Sequence, residues 1–206
     1  KVGAKAVILP NSLNPAFIRP RYEGVREKEI VSVGRMDANK NQEMQLRAFA
    51  ALKEKYPEYT FVIYGDGELR LHLEETAAEL GIAERVSLPG VVPDVAARIG
   101  RASLFLLTSY SEGVSNALIE ALALGLPVIA TDVPSGGTEE LMEDGVSGLV
   151  IPAGDQAALE RAMDRLLGDP AYADRLGREA ARIQERLAPE RVNPLWKAYF
   201  EEIANE

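Results

Sequence analysis

Two basic residues, Arg35 and Lys40, stand five apart in the glycine-led stretch GRMDANKN, and two carboxylates, Glu112 and Glu120, bracket the start of an apolar run in SEGVSNALIEALALGLP. A fork-shaped guanidinium and a compact ammonium beside a helix start make a clamp for a diphosphate. Gly113 can bend the chain, and Ser115 or Asn116 can cap the helix that follows. The amides near residues 116–118 then present unpaired donors to an anion. Glu120 lies further along the same helix, roughly 7–8 Å away at the helical rise. Glu112 precedes the helix.

An ionised carboxylate only accepts hydrogen bonds and can take two hydroxyl donors at once. Acids on both sides of a phosphate site therefore suit a ligand with hydroxyls at either end of a diphosphate, as a nucleotide sugar has. Glu120 would take the ribose diol and Glu112 the hydroxyls of the sugar, with backbone amides of Gly113, Val114, Ser115 and Asn116 nearby. From Ser115 to Pro127 the only other polar side chains are Ser115 and Asn116. A carboxylate on so apolar a helix is costly to bury. The plainer alternative is an ion pair with a neighbouring Arg or Lys. Taken alone, Glu112 reads as an ordinary loop acid, and Arg35 and Lys40 as solvated loop cations.

Composition narrows the chemistry further. The chain has 206 residues, no cysteine and one histidine, His72. That excludes disulfides, thiol catalysis, thiolate metal sites and multi-histidine metal sites, and makes a Ser-His-Asp triad improbable. His72 falls in a helix-like segment and is given no role. A formal net charge of −9 argues against an extended nucleic-acid surface. An anionic ligand then needs a few cations and backbone amides at close range, since charge is screened beyond about 8–10 Å. No run is long and apolar enough for a membrane span, and the amino end lacks a secretory pattern; a soluble chain is expected.

These residues must be held by alternating elements. Short apolar runs predict strands over 30–33, 60–64, 86–88, 104–108, 128–131 and 148–151. Helical patterns lie between them at about 41–56, 68–80, 94–101, 116–124 and 138–143, followed by 155–167, 171–187 and 190–204. Strands rich in Val, Ile, Leu and Phe suit a sheet covered on both faces, so the expectation is a single α/β domain, a Rossmann-like doubly wound parallel sheet of about six strands with extra carboxyl-terminal helices. Trp196, Tyr199 and Phe200 share one face of the last helix and are expected to pack on the domain. A further strand is possible at Val7 to Leu9, in a loop-like passage that reads as a connector.

In such sheets ligands bind beyond the carboxyl ends of the strands. Gly34 to Asn41, Gly65-Asp66-Gly67, Gly90-Val91-Val92, Ser109 to Ser115 and Pro134 to Gly137 all fall there. Asn41 is placed to cap the helix that follows. The dinucleotide fingerprint is absent because Arg70 stands where a third glycine is needed, and there is no Walker lysine pattern.

The segment Glu112 to Glu120 followed by ALALGLPVIATDVPSGG, with SVGRMDANKNQEMQLRAFAAL, YGDGELR, LPG and EDGVSGLVIP, resembles the carboxyl-terminal domain of the group 1, family-four retaining glycosyltransferases of GT-B fold. The likeness runs from about residue 9 to the end. It implies that Arg35 and Lys40 bind the donor diphosphate, that Gly34 and Gly65 belong to the donor-binding set, and that Glu112 with Gly113, Val114 and Ser115 after it holds the sugar. Asn116, Ala117 and Leu118 lie by the phosphates, Glu120 takes the ribose, and Val91 and Val92 meet the base. Arg35, Lys40 and Glu112 are then the catalytic group.

Val114, Ser115 and Thr138 depart from the usual family residues, which bears on sugar selectivity. The resemblance also implies a nucleotide-sugar donor, often UDP-linked, with no metal or cofactor required, and a role in polysaccharide or lipid-linked glycan synthesis. Residues 1–20 then form an interdomain linker and 21–206 the donor domain, partnered by an amino-terminal acceptor domain. The intact enzyme would be cytoplasmic and peripheral at the membrane. Two other classes remain compatible: a nucleotide-sugar-binding module without catalysis, and half of a sugar-nucleotide epimerase of similar architecture.

Overall fold

A computed structural model describes residue 7 and residues 9–204. Its centre is a six-stranded parallel sheet of β1 (Glu27–Val33), β2 (Thr60–Tyr64), β3 (Val86–Gly90), β4 (Ala102–Leu107), β5 (Val128–Asp132) and β6 (Leu149–Pro152). The strand order is β3-β2-β1-β4-β5-β6. The chain therefore winds outward from β1 in one direction, returns to the middle, and winds outward in the other. The expected doubly wound α/β architecture is present.

The helices are α1 (Gln42–Ala51), α2 (Arg70–Glu79), α3 (Val95–Ile99), α4 (Asn116–Ala123), α5 (Gly137–Leu141), α6 (Gln156–Gly168), α7 (Pro170–Ala180), α8 (Ile183–Arg186) and α9 (Pro189–Ala204). Side chains alternate across each strand, so every central strand feeds two cores. Ile30, Phe61, Ile63, Leu104, Leu106 and Ile129 join α1, α2, α6 and α7 on one face. Val31, Val62, Phe105, Leu107, Val128 and Ala130 join α3, α4, α5, α8 and α9 on the other. This two-sided burial is why the strands read as continuous apolar runs rather than alternating ones.

Several boundaries differ from the sequence reading. The first strand begins at Glu27, three residues early, because Glu27 pairs with Ala102 at a register shift beside β4. The expected helix over 171–187 is two helices, α7 and α8, turned at Ala181 and Arg182, where the Arg182 amide bonds the Glu179 carbonyl. The helix expected to reach residue 56 ends at Ala51 and finishes in turns. Val7 and Leu9 carry no strand, and Ile8, the middle of that expected strand, lies outside the described residues.

The passage before β1 is packed rather than loose. Leu13 and Phe17 are buried in the second core, with a 3-10 turn at Pro15–Phe17 capped by Asn14. The Leu13 amide donates to the Leu187 carbonyl at 2.9 Å. Of the aromatic face of α9, Trp196 is partly buried and donates its indole N–H to the Pro10 carbonyl, while Phe200 is 55% exposed. No helix among the described residues is long and apolar enough to cross a membrane.

Candidate functional site

The reversal of winding falls between β1 and β4, so the loops leaving their carboxyl ends open a cleft where ligands of this architecture bind. One loop carries Gly34, Arg35 and Lys40, and the other carries Glu112 to Ser115. The sequence separates them by some seventy residues; the topology makes them neighbours.

The Lys40 ammonium forms an ion pair with Glu112 Oε1 across this cleft. The same oxygen accepts the Ser109 hydroxyl at 2.6 Å. Arg35, on the same loop as Lys40, is exposed, and its guanidinium has no hydrogen bond or ion pair among the described residues. Its backbone is fixed, because Gln42 Nε2 donates to the Arg35 carbonyl at 2.8 Å. The structure thus joins Lys40 to Glu112 and leaves Arg35 a free cation on the same loop.

Below them a buried polar relay locks the two loops. Thr108 Oγ1 bonds the Lys40 carbonyl at 2.9 Å and the Asn41 carbonyl at 3.1 Å, and receives Gln45 Nε2 at 2.8 Å. From the neighbouring elements, Thr138 of α5 donates to the Thr131 carbonyl of β5 at 2.8 Å and Thr131 donates to the Ser109 carbonyl at 2.6 Å. Ser135 donates its hydroxyl to the Glu112 carbonyl. Sequence reasoning gave Ser109, Thr108, Gln45, Thr131 and Ser135 no role. Ser109 reaches Glu112 three residues on, but the bonds that join the loops run between residues 22 to 68 apart, and no local spacing announces those.

The start of α4 corrects one expectation. Ser115 is the N-cap, and its hydroxyl accepts the Leu118 amide at 3.4 Å, so that amide is not a free donor. Leu118 itself is fully buried. Of the three amides expected to be free, those of Asn116 and Ala117 have no hydrogen-bond acceptor among the described residues. Asn116 Oδ1 accepts Asn11 Nδ2 at 2.9 Å, and Val114 and Ala117 pack on the second core. Asn41 also departs from the cap expectation. It sits at the N-cap position in a left-handed conformation, φ 50°, and its side chain makes no capping bond.

Glu120 is half-buried on α4, and its carboxylate has no hydrogen bond or ion pair among the described residues. The ion-pair alternative therefore does not hold. Burial alone pushes its carboxyl above the usual carboxylate range.

The remaining residues line the same rim. The Gly34 amide bonds the Tyr64 carbonyl at 2.9 Å and the Gly65 amide bonds the Gly90 carbonyl at 3.0 Å, which carries the rim from β1 out to β3. Gly65 has φ 128°, and a Cβ there would lie 2.0 Å from the Gly34 oxygen; only glycine lets the loops approach so closely. Val91 is 82% exposed just past β3, while Val92 turns inward and borders a groove of about 490 Å³ with Tyr64, Pro89 and Arg98. The loops after β1 and β4 thus carry two cations, a paired Glu112 and the start of α4, with the unpaired Glu120 carboxylate further along that helix. Such a rim can bind an anion flanked by donors and an apolar ring.

Residues 17–183 match the family model described as glycosyl transferases group 1. An α-1,4-N-acetyl-D-galactosaminyltransferase of Campylobacter jejuni, named for a PP-undecaprenol-linked saccharide, is 32% identical over 94% of this chain and 54% of its own length. The alpha-D-kanosaminyltransferase of Streptomyces kanamyceticus is 33% identical over 81% of this chain and 43% of its own. The chain spans about half the length of these curated relatives. Among solved structures, the pneumococcal O-GlcNAc transferase GtfA superposes with a TM-score of 0.86 at 24% identity, over 97% of this chain and 40% of that one, a likeness of fold. On the family match and the relatives together, the chain belongs to the group 1 glycosyl transferases.

Proposed function

We propose that this chain is the donor-binding half of an enzyme that moves a sugar from a nucleoside diphosphate sugar, UDP-linked, to a hydroxyl acceptor. The observation that carries this reading is the junction of Lys40 and Glu112 at the β1/β4 reversal, beside the open amides of α4 and an unpartnered Glu120. The solved GtfA structure named above was obtained with UDP and GlcNAc, which supports the choice of nucleotide.

In this reading Arg35 and Lys40 meet the two phosphates, and the incoming anion competes with Glu112 for the Lys40 ammonium. Glu112, released from that pair, is free to accept hydroxyls of the sugar. Cations placed where charge grows on a departing diphosphate act mainly in the transition state. Glu120, already desolvated and unpaired, regains hydrogen bonds when a ribose diol arrives. The Asn116 and Ala117 amides complete the phosphate contact, and Val91 and Val92 border the base. No metal is assigned a part, the clamp being cationic.

The acceptor is held by a partner domain of the same polypeptide, preceding residues 1–20, and the product keeps the anomeric configuration of the donor. The intact enzyme acts at the cytoplasmic face of a membrane in glycan assembly. Calorimetric titration with UDP, GDP and ADP tests the donor reading. UDP is expected to bind, with the affinity falling about tenfold or more in Arg35→Ala and in Lys40→Ala, as loss of one charge-assisted contact requires. Equal affinity in both variants and the parent would refute the clamp. Proton NMR of the anomeric centre in the product of the full-length enzyme tests retention.

A further inference from the structure

The register between β1 and β4 is paired only as far as Val31 and Phe105. Lys40 and Glu112 lie well beyond that point, so something other than the strand ladder must set their separation. The Thr108 relay ties the bases of their loops together, and above it one residue makes three hydrogen bonds between the two loops. The Asn39 carbonyl accepts the Tyr110 amide at 2.9 Å, Asn39 Nδ2 donates to the Ser111 carbonyl at 2.8 Å, and Asn39 Oδ1 accepts the Ser111 amide at 3.0 Å.

The side chain therefore pairs with both backbone groups of a single residue, as a neighbouring strand would. It lies one position before Lys40, and its partner lies one position before Glu112. We propose that Asn39 is the positioning residue that holds the Lys40 loop and the Glu112 loop in register; its bearing on the donor rests on the reading above.

The chemistry selects asparagine. A carboxamide carries a donor and an acceptor on one planar group, and here each faces its complement, a carbonyl and an amide N–H. Aspartate keeps the shape and the acceptor but turns a second oxygen toward the Ser111 carbonyl. Alanine keeps neither bond. The contact is exposed, so its removal leaves both cores untouched.

Two measurements test this on the chain as it stands. The first is amide hydrogen exchange by NMR. Asn39→Ala is expected to speed exchange at Ser111 by about tenfold or more, with Asn39→Asp in between and the amides of β1 and β4 unchanged. Exchange at Ser111 that stays as slow as in the parent would overturn the proposal, and Asn39→Asp serves alone if the alanine variant does not fold.

The second is UDP titration of the parent, Asn39→Ala, Lys40→Ala and the double variant. Asn39→Ala is expected to weaken UDP about tenfold in the parent background and to add nothing in the Lys40→Ala background, since it acts by placing Lys40 and its partner. Independent, additive losses would show a merely structural residue and defeat the proposal. A parent chain that binds no UDP would sink the donor reading, while the exchange experiment still decides whether Asn39 sets the loops.

Discussion

The Lys40 ammonium closes on the Glu112 carboxylate across the gap where the sheet reverses its winding, and Ser109 donates to the same carboxylate oxygen at 2.6 Å. The two side chains are only 19% and 14% exposed. Breaking such a pair from one side strands the other charge. Lys40→Met should therefore lower the unfolding free energy by roughly 2–3 kcal/mol, and adding Glu112→Gln should recover about half of it. Urea denaturation of the single and double variants gives the answer; a double variant less stable than Lys40→Met contradicts the expected coupling.

Glu120 sets stability against binding. Burial raises its carboxyl pKa, so between the unfolded and folded values the native state holds more protons. The sign follows: stability is greater on the acid side, falls as pH rises through that window, and stays reduced at neutrality. Glu120→Gln removes the charge and should stabilise the free chain at neutral pH by on the order of 1 kcal/mol, a figure already reduced for half exposure. The same variant should bind UDP more weakly. Melting curves across about pH 4–8 check the sign, because the glutamine variant should lose part of the parent's pH dependence in that window.

Adjacent glycines after β5 should respond differently. A Cβ on Gly137 would fall 1.7 Å from the Gly113 oxygen, the backbone just behind Glu112. Gly136 has φ 73° and open space around it. Gly137→Ala is expected to cost about 3 kcal/mol by forcing the Gly113 loop to move, and to abolish UDP binding. Gly136→Ala should cost only about 1 kcal/mol of backbone strain. Parallel thermal melts would separate them, and equal losses would mean that Gly113 is not held where described.

Thr108 offers a subtler probe. Its hydroxyl touches the Lys40 and Asn41 carbonyls and receives Gln45, all within the buried base of the cleft. Thr108→Val keeps the shape and deletes the oxygen, leaving Gln45 without that acceptor. A loss of about 2 kcal/mol is expected, with UDP affinity reduced because the Lys40 backbone is no longer anchored. If the valine variant matches the parent in both denaturation and titration, the relay has no energetic role.

The architecture was legible because each strand buries both faces, so Ile30-Val31 and Phe61-Val62-Ile63 read as unbroken apolar runs with helical patterns between. Loop position was legible for the same reason: in a parallel sheet every strand ends on one rim. Glu120 stood out as a lone acid in an apolar helix, and the structure leaves it unpaired. What sequence could not supply was pairing across loops. Asn39 with Ser111, Thr108 with Gln45 and Thr131 with Ser109 are bonds between ordinary polar residues, and none has a periodicity. Ser115 and Leu118 show a second limit. The cap itself was foreseen as one of two residues, but which amide it would occupy depends on a hydroxyl rotamer.

The placement of β1 between β2 and β4 also has a kinetic side. A chain emerging from the ribosome can assemble β1, β2 and β3 with α1 and α2 early, yet one long edge of β1 stays unsatisfied until β4 arrives some seventy residues later. Contacts so distant along the chain form slowly and leave an adhesive edge waiting meanwhile. A nascent or truncated product ending near residue 100 would accordingly be prone to clump and would hold no part of the Glu112 loop, so Lys40 waits without its partner until β4 and the loop after it have joined the sheet.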